Sequence, residues 1–355
     1  MPISGSNARR TPRAHSSDTD MRVDDFRYEL PKSAIAQTTI EPRHDSRLLD
    51  TRDMSDHIFL DLPDLLEPGD LLVVNNTKVR AARLIGRRAG TAGTVELLLL
   101  ERRNDGVWVA LAKPARRLRP GVVVEFEGFT AVLENQLTAG LVEVSLDADD
   151  EELAIAAAGE MPLPPYFTGQ LADPNRYQTL YAEIPGSAAA PTAGLHFTEL
   201  VMERLAEKDV KMAAVDLHVS LDTFRPMSVE MVEDHQMHSE WCLISQETAD
   251  AVNASKRVIA VGTTVVRTLE SFADDDGNVT SGSHQTDLFL TPGYRFSVVD
   301  ALITNFHMPS STLLVLLAAF MGPDWRDAYA LALDRRYRFL SFGDAMYVER
   351  GQLLP

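Results

Sequence analysis

The chain has 355 residues, 45% of them hydrophobic and 24% charged. This ordinary globular balance excludes collagen-like, disulfide-scaffold and wholly disordered classes. The longest apolar run, Leu313 to Met321, has nine residues, against the roughly 20 that a membrane-spanning helix needs. A net charge of -18 speaks at first against a nucleic-acid partner.

The length suggests two domains. Residues 1–22 are polar, with Arg9, Arg10 and Arg13 but no apolar stretch behind them, and read as a disordered tail rather than a secretory leader. The single cysteine, Cys242, cannot form an internal disulfide, which agrees with a reducing compartment and makes the cytoplasm the default address. Residues 23–68 read as extended pieces with a short helix near Lys32 to Gln37, too small to stand alone. They are expected to pack on the later part of the chain.

Residues 69–149 change texture. Strand-like runs at 71–74, 94–100, 107–112, 122–126 and 141–146 are punctuated by glycines, with no convincing helix between them. That pattern predicts an all-β, barrel-like domain inserted into the chain. Between 78 and 119 eleven Lys and Arg face only Glu96, Glu101 and Asp105, a local charge of +8 that leaves -26 elsewhere. Such a concentration suits a docking surface for a polyanion, because phosphate contacts respond to the local field. The competing reading is a basic face neutralised by acidic neighbours in space.

Acidic residues at 147–152 open the next segment, and from Glu199 strand-like and helix-period stretches alternate. Strands are expected at 213–219, 257–261 and 298–304, with helices from Val265 and over Thr312 to Phe320. The fold class is therefore an α/β large domain, discontinuous over 23–68 and 150–355, carrying the β insert. Ligands of such sheets collect beyond the carboxyl ends of strands. Those ends hold His218, Gly262-Thr263-Thr264, and Asn305 with His307.

Six of the nine histidines fall in this half, a density that favours proton handling. In HQMHSE, 235–240, His235 and His238 would stand one helical turn apart near Glu240. A metal is not expected there, since neither an HExxH pattern nor a cysteine framework accompanies them. GSAAAPTAGLHFT, 186–198, is too rich in small residues for a plain helix and ends on Thr198, a good N-cap. It reads either as a ligand-approach loop or as a packed turn with His196 hydrogen-bonded in the core. VGTTVVRTLES, 261–271, lacks dinucleotide and Walker patterns, but its glycine and hydroxyls suit a carboxylate or ribose. Arg267 and Glu270 on its helix are spaced to pair with each other.

Taken together these stretches resemble the S-adenosylmethionine:tRNA ribosyltransferase-isomerase family of queuosine biosynthesis. The likeness runs through FRYELPKSAIAQ (26–37), EPRHDSRLL (41–49), GDLLVVNNTKVRAARL (69–84), WVALAKPARRLRPG (108–121), MPLPPYF (161–167) and RYQTLYA (176–182). It continues through the three motifs above, LHVSLDTFRPM (217–227), LFLTPGYRF (288–296), ITNFHMPSSTLL (303–314) and YRFLSFGDAM (337–346). The sequence departs from the family pattern at Ser220 and Asp222, where glycines are expected, and at Gly169 and Gln170, where an arginine usually follows. These departures bear on substrate fit rather than fold.

The resemblance implies transfer and isomerisation of the ribosyl part of S-adenosylmethionine onto a 7-aminomethyl-7-deazaguanine wobble base. The products would be epoxyqueuosine-tRNA, adenine and methionine. It implies a cosubstrate but no prosthetic group or metal, a tRNA with a GUN anticodon, and a monomer. The sulfonium acidifies the adjacent C5′ protons, so the reaction needs a base, a donor to help adenine leave, and a base for the incoming amine. His196, His218 and Glu240 are the catalytic candidates. Thr263, Thr264, Arg267, Asn305 and His307 are the candidates for holding the cosubstrate, with Phe197, Tyr294 and Phe306 available to its cation. Lys78, Arg83, Lys113, Arg116 and Arg117 are the candidates for the anticodon arm. Two rival readings are an S-adenosylmethionine-dependent methyltransferase and a paralogue that binds RNA without ribosyl transfer.

Overall fold

The structure, a computed structural model, describes residues 21–351 apart from 92, 104, 139, 170, 172, 220–225 and 238. The expected tail over 1–20 and the departures at Gln170, Ser220 and Asp222 therefore lie outside the described residues, as does His238.

In chain order, β1 (Arg47–Asp50), β2 (Ser55–Ile58) and α1 (Leu62–Leu65) precede β3 (Leu71–Asn75) and the short β4 (Thr77–Val79). Then come β5 (Arg83–Arg88), β6 (Thr94–Arg102), β7 (Trp108–Lys113), β8 (Val123–Glu125), β9 (Thr130–Gln136) and β10 (Leu141–Asp147). After α2 (Glu151–Ala158), β11 (Gly159–Glu160) and β12 (Ile184–Ser187), α3 (Glu199–Glu207) leads into β13 (Lys211–Leu217) and β14 (Glu240–Ile244). The remainder is α4 (Gln246–Ala254), β15 (Val258–Val261), α5 (Thr263–Phe272), β16 (Gly282–Thr286), β17 (Ala301–Asn305), α6 (Thr312–Met321), α7 (Trp325–Asp334) and β18 (Ala345–Glu349).

Nine strands form one mixed sheet in the order β16-β14-β13-β3-β15-β17-β18-β1-β2. Its centre, β13-β3-β15-β17, is parallel, so the carboxyl ends of four strands lie along one edge. Successive side chains of a strand point to opposite faces, and here both faces are covered. Leu71 and Val73 join the cluster that holds α5, α6 and α7 residues such as Leu269, Leu317 and Trp325. Leu72 and Val74 join the other cluster, with Leu62 of α1 and Val201 and Leu205 of α3.

The second body is a closed antiparallel barrel, β5-β6-β7-β10-β9-β8, shut by pairing of β8 with β5 at Arg87↔Glu125 and Arg88↔Val124. Closure removes the free edges an open sheet would expose. Inward side chains alternate as a half-buried strand requires: Trp108, Ala110 and Ala112 of β7 are buried and the residues between them are not.

Three local expectations are corrected. The run at 71–74, assigned to the insert beginning at 69, is β3 at the centre of the large sheet, bonded to β13 and β15. A uniformly apolar run marks a strand covered on both faces, whereas barrel strands alternate. The tail expected over 1–22 does not include Arg22, whose backbone bridges Met231 and whose side chain pairs with Glu230. The helix expected near Lys32 to Gln37 is a single 3-10 turn, Lys32–Ala34, because Ile35 leaves it to bridge Phe339. By contrast, the helix starting at Glu199 does take Thr198 as its N-cap, the side chain accepting from the Val201 N–H.

Candidate active site

A cleft of about 570 Å³ opens beyond the carboxyl ends of β15 and β17, the place where parallel α/β sheets bind ligands. Gly262, with φ +95, makes the turn from β15 into α5, a backbone conformation that a side chain would strain. Thr263 and Thr264 follow it into the cleft wall. On the other side the N-terminus of α6 arrives, capped by Ser311, whose Oγ accepts from the Leu314 N–H at 3.3 Å. Two helix N-termini thus border one cavity, and each favours a negative group. Thr264 adds a hydroxyl that is buried and has no hydrogen-bond partner among the described residues. A buried hydroxyl without a partner is costly to the free protein.

His307 also lines the cleft. Its Nε2 lies 3.0 Å from Thr304 Oγ1, its N–H donates to Tyr329 Oη at 2.8 Å, and its carbonyl accepts from Tyr28 Oη. Nδ1 makes no hydrogen bond among the described residues. Burial pushes the imidazole down to about 3, so it stays neutral throughout the physiological range.

Asn305 ties this cleft to His196. Its Oδ1 accepts from Thr192 Oγ1 at 2.8 Å, and its Nδ2 donates to the Asp344 carbonyl at 3.3 Å and to His196 Nε2 at 3.1 Å. Because Nε2 accepts, Nδ1 carries the proton and donates to Ser46 Oγ at 2.7 Å. The ring stacks on Phe59, 5.0 Å between centroids. Burial first, then the nearby Arg338 and Arg176, hold His196 at about 3. Both its nitrogens are committed within the protein, which is the packed-turn alternative for that motif. His196 nevertheless faces a second, smaller cleft, and Ser341 lines both cavities.

The remaining candidates are distributed differently. His218 follows β13 and packs at a tilt against Trp241, 4.8 Å between centroids; Gly186 is required beside it, since a Cβ there would come within 2.5 Å of the ring. Its buried Nε2 has no partner among the described residues, and burial, then Arg80, lowers its affinity for a proton. The next residue, Val219, lines the main cleft. Glu240 and Arg267 lie off the cleft as a buried ion pair, with Arg267 also donating to the Leu288 carbonyl at 3.1 Å.

The pairing of Arg267 with Glu270 that their spacing allowed does not occur. Glu270 instead accepts from the N–H groups of Ser297, Val298 and Val299, which lie nearer to it than the guanidinium that Glu240 holds. Nor is the 235–237 stretch helical, so His235 and Glu240 are not stacked on one helix face; Glu240 already begins β14. No cluster of three or more His, Cys, Asp or Glu among the described residues is placed to hold a metal. Of the aromatic candidates, Phe306 borders the cleft, whereas Phe197 packs on Phe59 and Tyr181, and Tyr294 reaches Glu270.

The basic segment divides in two. Arg80, Arg83, Arg102 and Arg103 are ion-paired, with Glu152, with Glu96 and Glu160, with Glu151, and with Glu143 respectively. Lys78, Lys113, Arg116 and Arg117 are exposed and carry no ion pair among the described residues. Local neutralisation therefore accounts for part of the cluster and leaves a cationic face around the 3-10 turn Ala115–Arg117.

Sequence reasoning missed Arg43, Ser46, Tyr166, Arg176, Ser341 and Asp344. All six sit inside the family-like stretches, which was the one available signal. Their spacing gives no periodic hint, because they converge only through the fold.

A family model described as queuosine biosynthesis protein matches residues 23–348. The chain is 48% identical over 341 residues to the S-adenosylmethionine:tRNA ribosyltransferase-isomerase of Moorella thermoacetica, covering 92% of this chain and all of that relative. It is 47% identical over 343 residues to the enzyme of the same name from Desulfitobacterium hafniense, covering 92% of this chain and all of that one. The crystal structure of S-adenosylmethionine tRNA ribosyltransferase from Thermotoga maritima matches with a TM-score of 0.52 and 36% identity, covering 91% of this chain and 99% of that one. With a family model spanning most of its length and relatives near half identity end to end, this chain belongs to the queuosine biosynthesis protein family.

Proposed function

We propose that the protein is an S-adenosylmethionine:tRNA ribosyltransferase-isomerase, moving the ribosyl part of its cosubstrate onto the aminomethyl-deazaguanine wobble base of a GUN-anticodon tRNA. The observation that carries the reading at the site is that two helix N-termini and Thr264, whose buried hydroxyl has no partner among the described residues, border one cleft. A carboxylate satisfies all three, and the methionyl end of the cosubstrate supplies one.

With the carboxylate there, the sulfonium lies toward His307. A neutral imidazole does not repel that cation and offers Nδ1 to the reacting part of the ligand. A base removes the acidified C5′ proton; the resulting ylide collapses with loss of adenine, and attack by the amine of the target base later expels methionine. Of the three catalytic candidates His218 remains to handle these protons, and His307, first a candidate for holding the cosubstrate, joins it. His196 is a positioning residue, since its nitrogens orient Asn305 and Ser46. Glu240 and Arg267 hold α5 and β14 together rather than contact ligand.

In this reading the barrel is a domain inserted into the α/β body, and Lys78, Lys113, Arg116 and Arg117 engage the anticodon arm. Arg83, braced between two glutamates, contributes less. The enzyme works as a cytoplasmic monomer.

The test is chromatography of spent cosubstrate with precursor-bearing and unmodified tRNA. Adenine and methionine are expected with the former only. S-adenosylhomocysteine would mean a methyltransferase, and tRNA binding without adenine release a noncatalytic paralogue.

A further inference from the structure

Beside the main cleft is a second one of about 310 Å³, bordered by Arg43, Ser46, Arg176, His196, Ser341 and Gly343. Ser341 is common to both, and the Asn305–His196 contact joins their walls. One layer of side chains separates the two cavities.

The charge around the second cleft is one-sided. Arg43 donates to the carbonyl oxygens of Gln178 at 2.8 Å and Asn175 at 3.2 Å, and meets no carboxylate among the described residues. Arg338 donates to the Thr38 carbonyl, and Arg176 to that of Ile40 at 3.0 Å. Carbonyl ligation fixes a guanidinium without neutralising it. Two acids oppose them. Exposed Glu41 pairs with Arg176, and buried Asp344 accepts from the N–H groups of Arg338 and Arg47.

Arg43, held by neutral carbonyls alone, and Arg176, shared between a carbonyl and the exposed Glu41, suit a planar or tetrahedral anion, which guanidinium groups grip through paired N–H donors. The cavity adjoins the cleft where the ribosyl donor is placed.

We propose that this second cleft receives the nucleotide being modified, with Arg43 and Arg176 on a phosphodiester that adjoins it. The proposal rests on the ribosyl-transfer reading. The exposed barrel residues then hold the arm, while the cleft holds the reacting nucleotide.

The experiment titrates a synthetic anticodon stem-loop RNA, without cosubstrate, against wild type, Arg43→Gln and Arg43→Lys. Single methylphosphonates replace each loop phosphodiester in turn, and melting curves accompany every variant. One methylphosphonate is expected to weaken wild-type binding ~10-fold, as loss of a charge-assisted hydrogen bond does. Arg43→Gln should lose about as much, and combining the two should cost nothing further, with Arg43→Lys intermediate.

Additive losses at every loop position would overturn the proposal, as would wild-type affinity in Arg43→Gln. If Arg43→Gln melts early, Arg176→Gln is carried through the same scan with the same required outcome. Inorganic phosphate, added at constant ionic strength, should compete with the intact loop and not with the methylphosphonate RNA. Competition with both would mean a free-anion site and refute an RNA contact. Adenine release by wild type is read separately: its absence with the coupling intact would sink the reaction and leave the RNA site standing.

Discussion

Replacing Thr264 by valine separates binding from folding at the cleft. Valine matches threonine in volume and branching, so packing at the start of α5 is retained, and only the hydroxyl is lost. That hydroxyl has no partner among the described residues, and an unsatisfied buried polar group costs about 1–3 kcal/mol. Thr264→Val should therefore leave the ligand-free protein as stable as wild type or raise it by about 1 kcal/mol, or about 2 °C in a chain of this size. A carboxylate bound at the two helix ends would use the same hydroxyl, and its loss should cost about 1.5–3 kcal/mol, or ~10- to 100-fold in affinity for S-adenosylmethionine. Calorimetric titration and ligand-free thermal denaturation read the two quantities. A variant that melts clearly below wild type, or binds the cosubstrate equally well, would refute the assignment of this hydroxyl to the ligand.

Other perturbations test other links. His196 and His307 are both held near 3, below the ordinary value of 6.5, so the unfolded chain takes up their protons first. Their stabilisation is fully present above pH 6.5 and is lost as pH falls toward 3. Between pH 7 and pH 5 each should cost about 2 kcal/mol of stability, and urea titrations of His196→Gln should show a shallower pH slope than wild type; an identical slope would count against burial as the cause. Arg116→Ala with Arg117→Ala should weaken tRNA binding and lower its salt slope by about 2, with melting unchanged because neither residue is ion-paired; filter binding across a salt series decides this. Arg267→Met removes the guanidinium from the buried Glu240 carboxylate and should cost about 3–5 kcal/mol by chemical denaturation, where a loss below 1 kcal/mol would contradict the buried pair.

The strand-like, glycine-punctuated runs of the barrel and the N-cap of α3 were legible from local pattern. Trp108, Ala110 and Ala112 alternate because one face of β7 meets the barrel core, and Thr198 caps α3 through a bond to the Val201 N–H three residues on. The strand-end hydroxyls Thr263 and Thr264 with Asn305 and His307 were also legible, since parallel strands must deliver their ends to one edge. β3 was misplaced for the opposite reason: four apolar residues carry no period, and only its hydrogen bonds to β13 and β15 assign it to a sheet.

Charge shows the same division. The linear count of basic residues over 78–119 located the cationic segment, yet Arg80, Arg83, Arg102 and Arg103 find carboxylates across strands and from α2, while Arg116 and Arg117 do not. Periodicity, capping and local charge act over a few residues, so the chain alone determined many of its elements, the α/β and barrel textures and the strand ends where a ligand is expected. Ion pairing and burial act through space between residues far apart in the chain. Tertiary structure therefore decided which histidine is locked by Ser46 and Asn305, which arginines remain unpaired, and that Arg43 and Arg176 meet beside Ser341 at a second cavity.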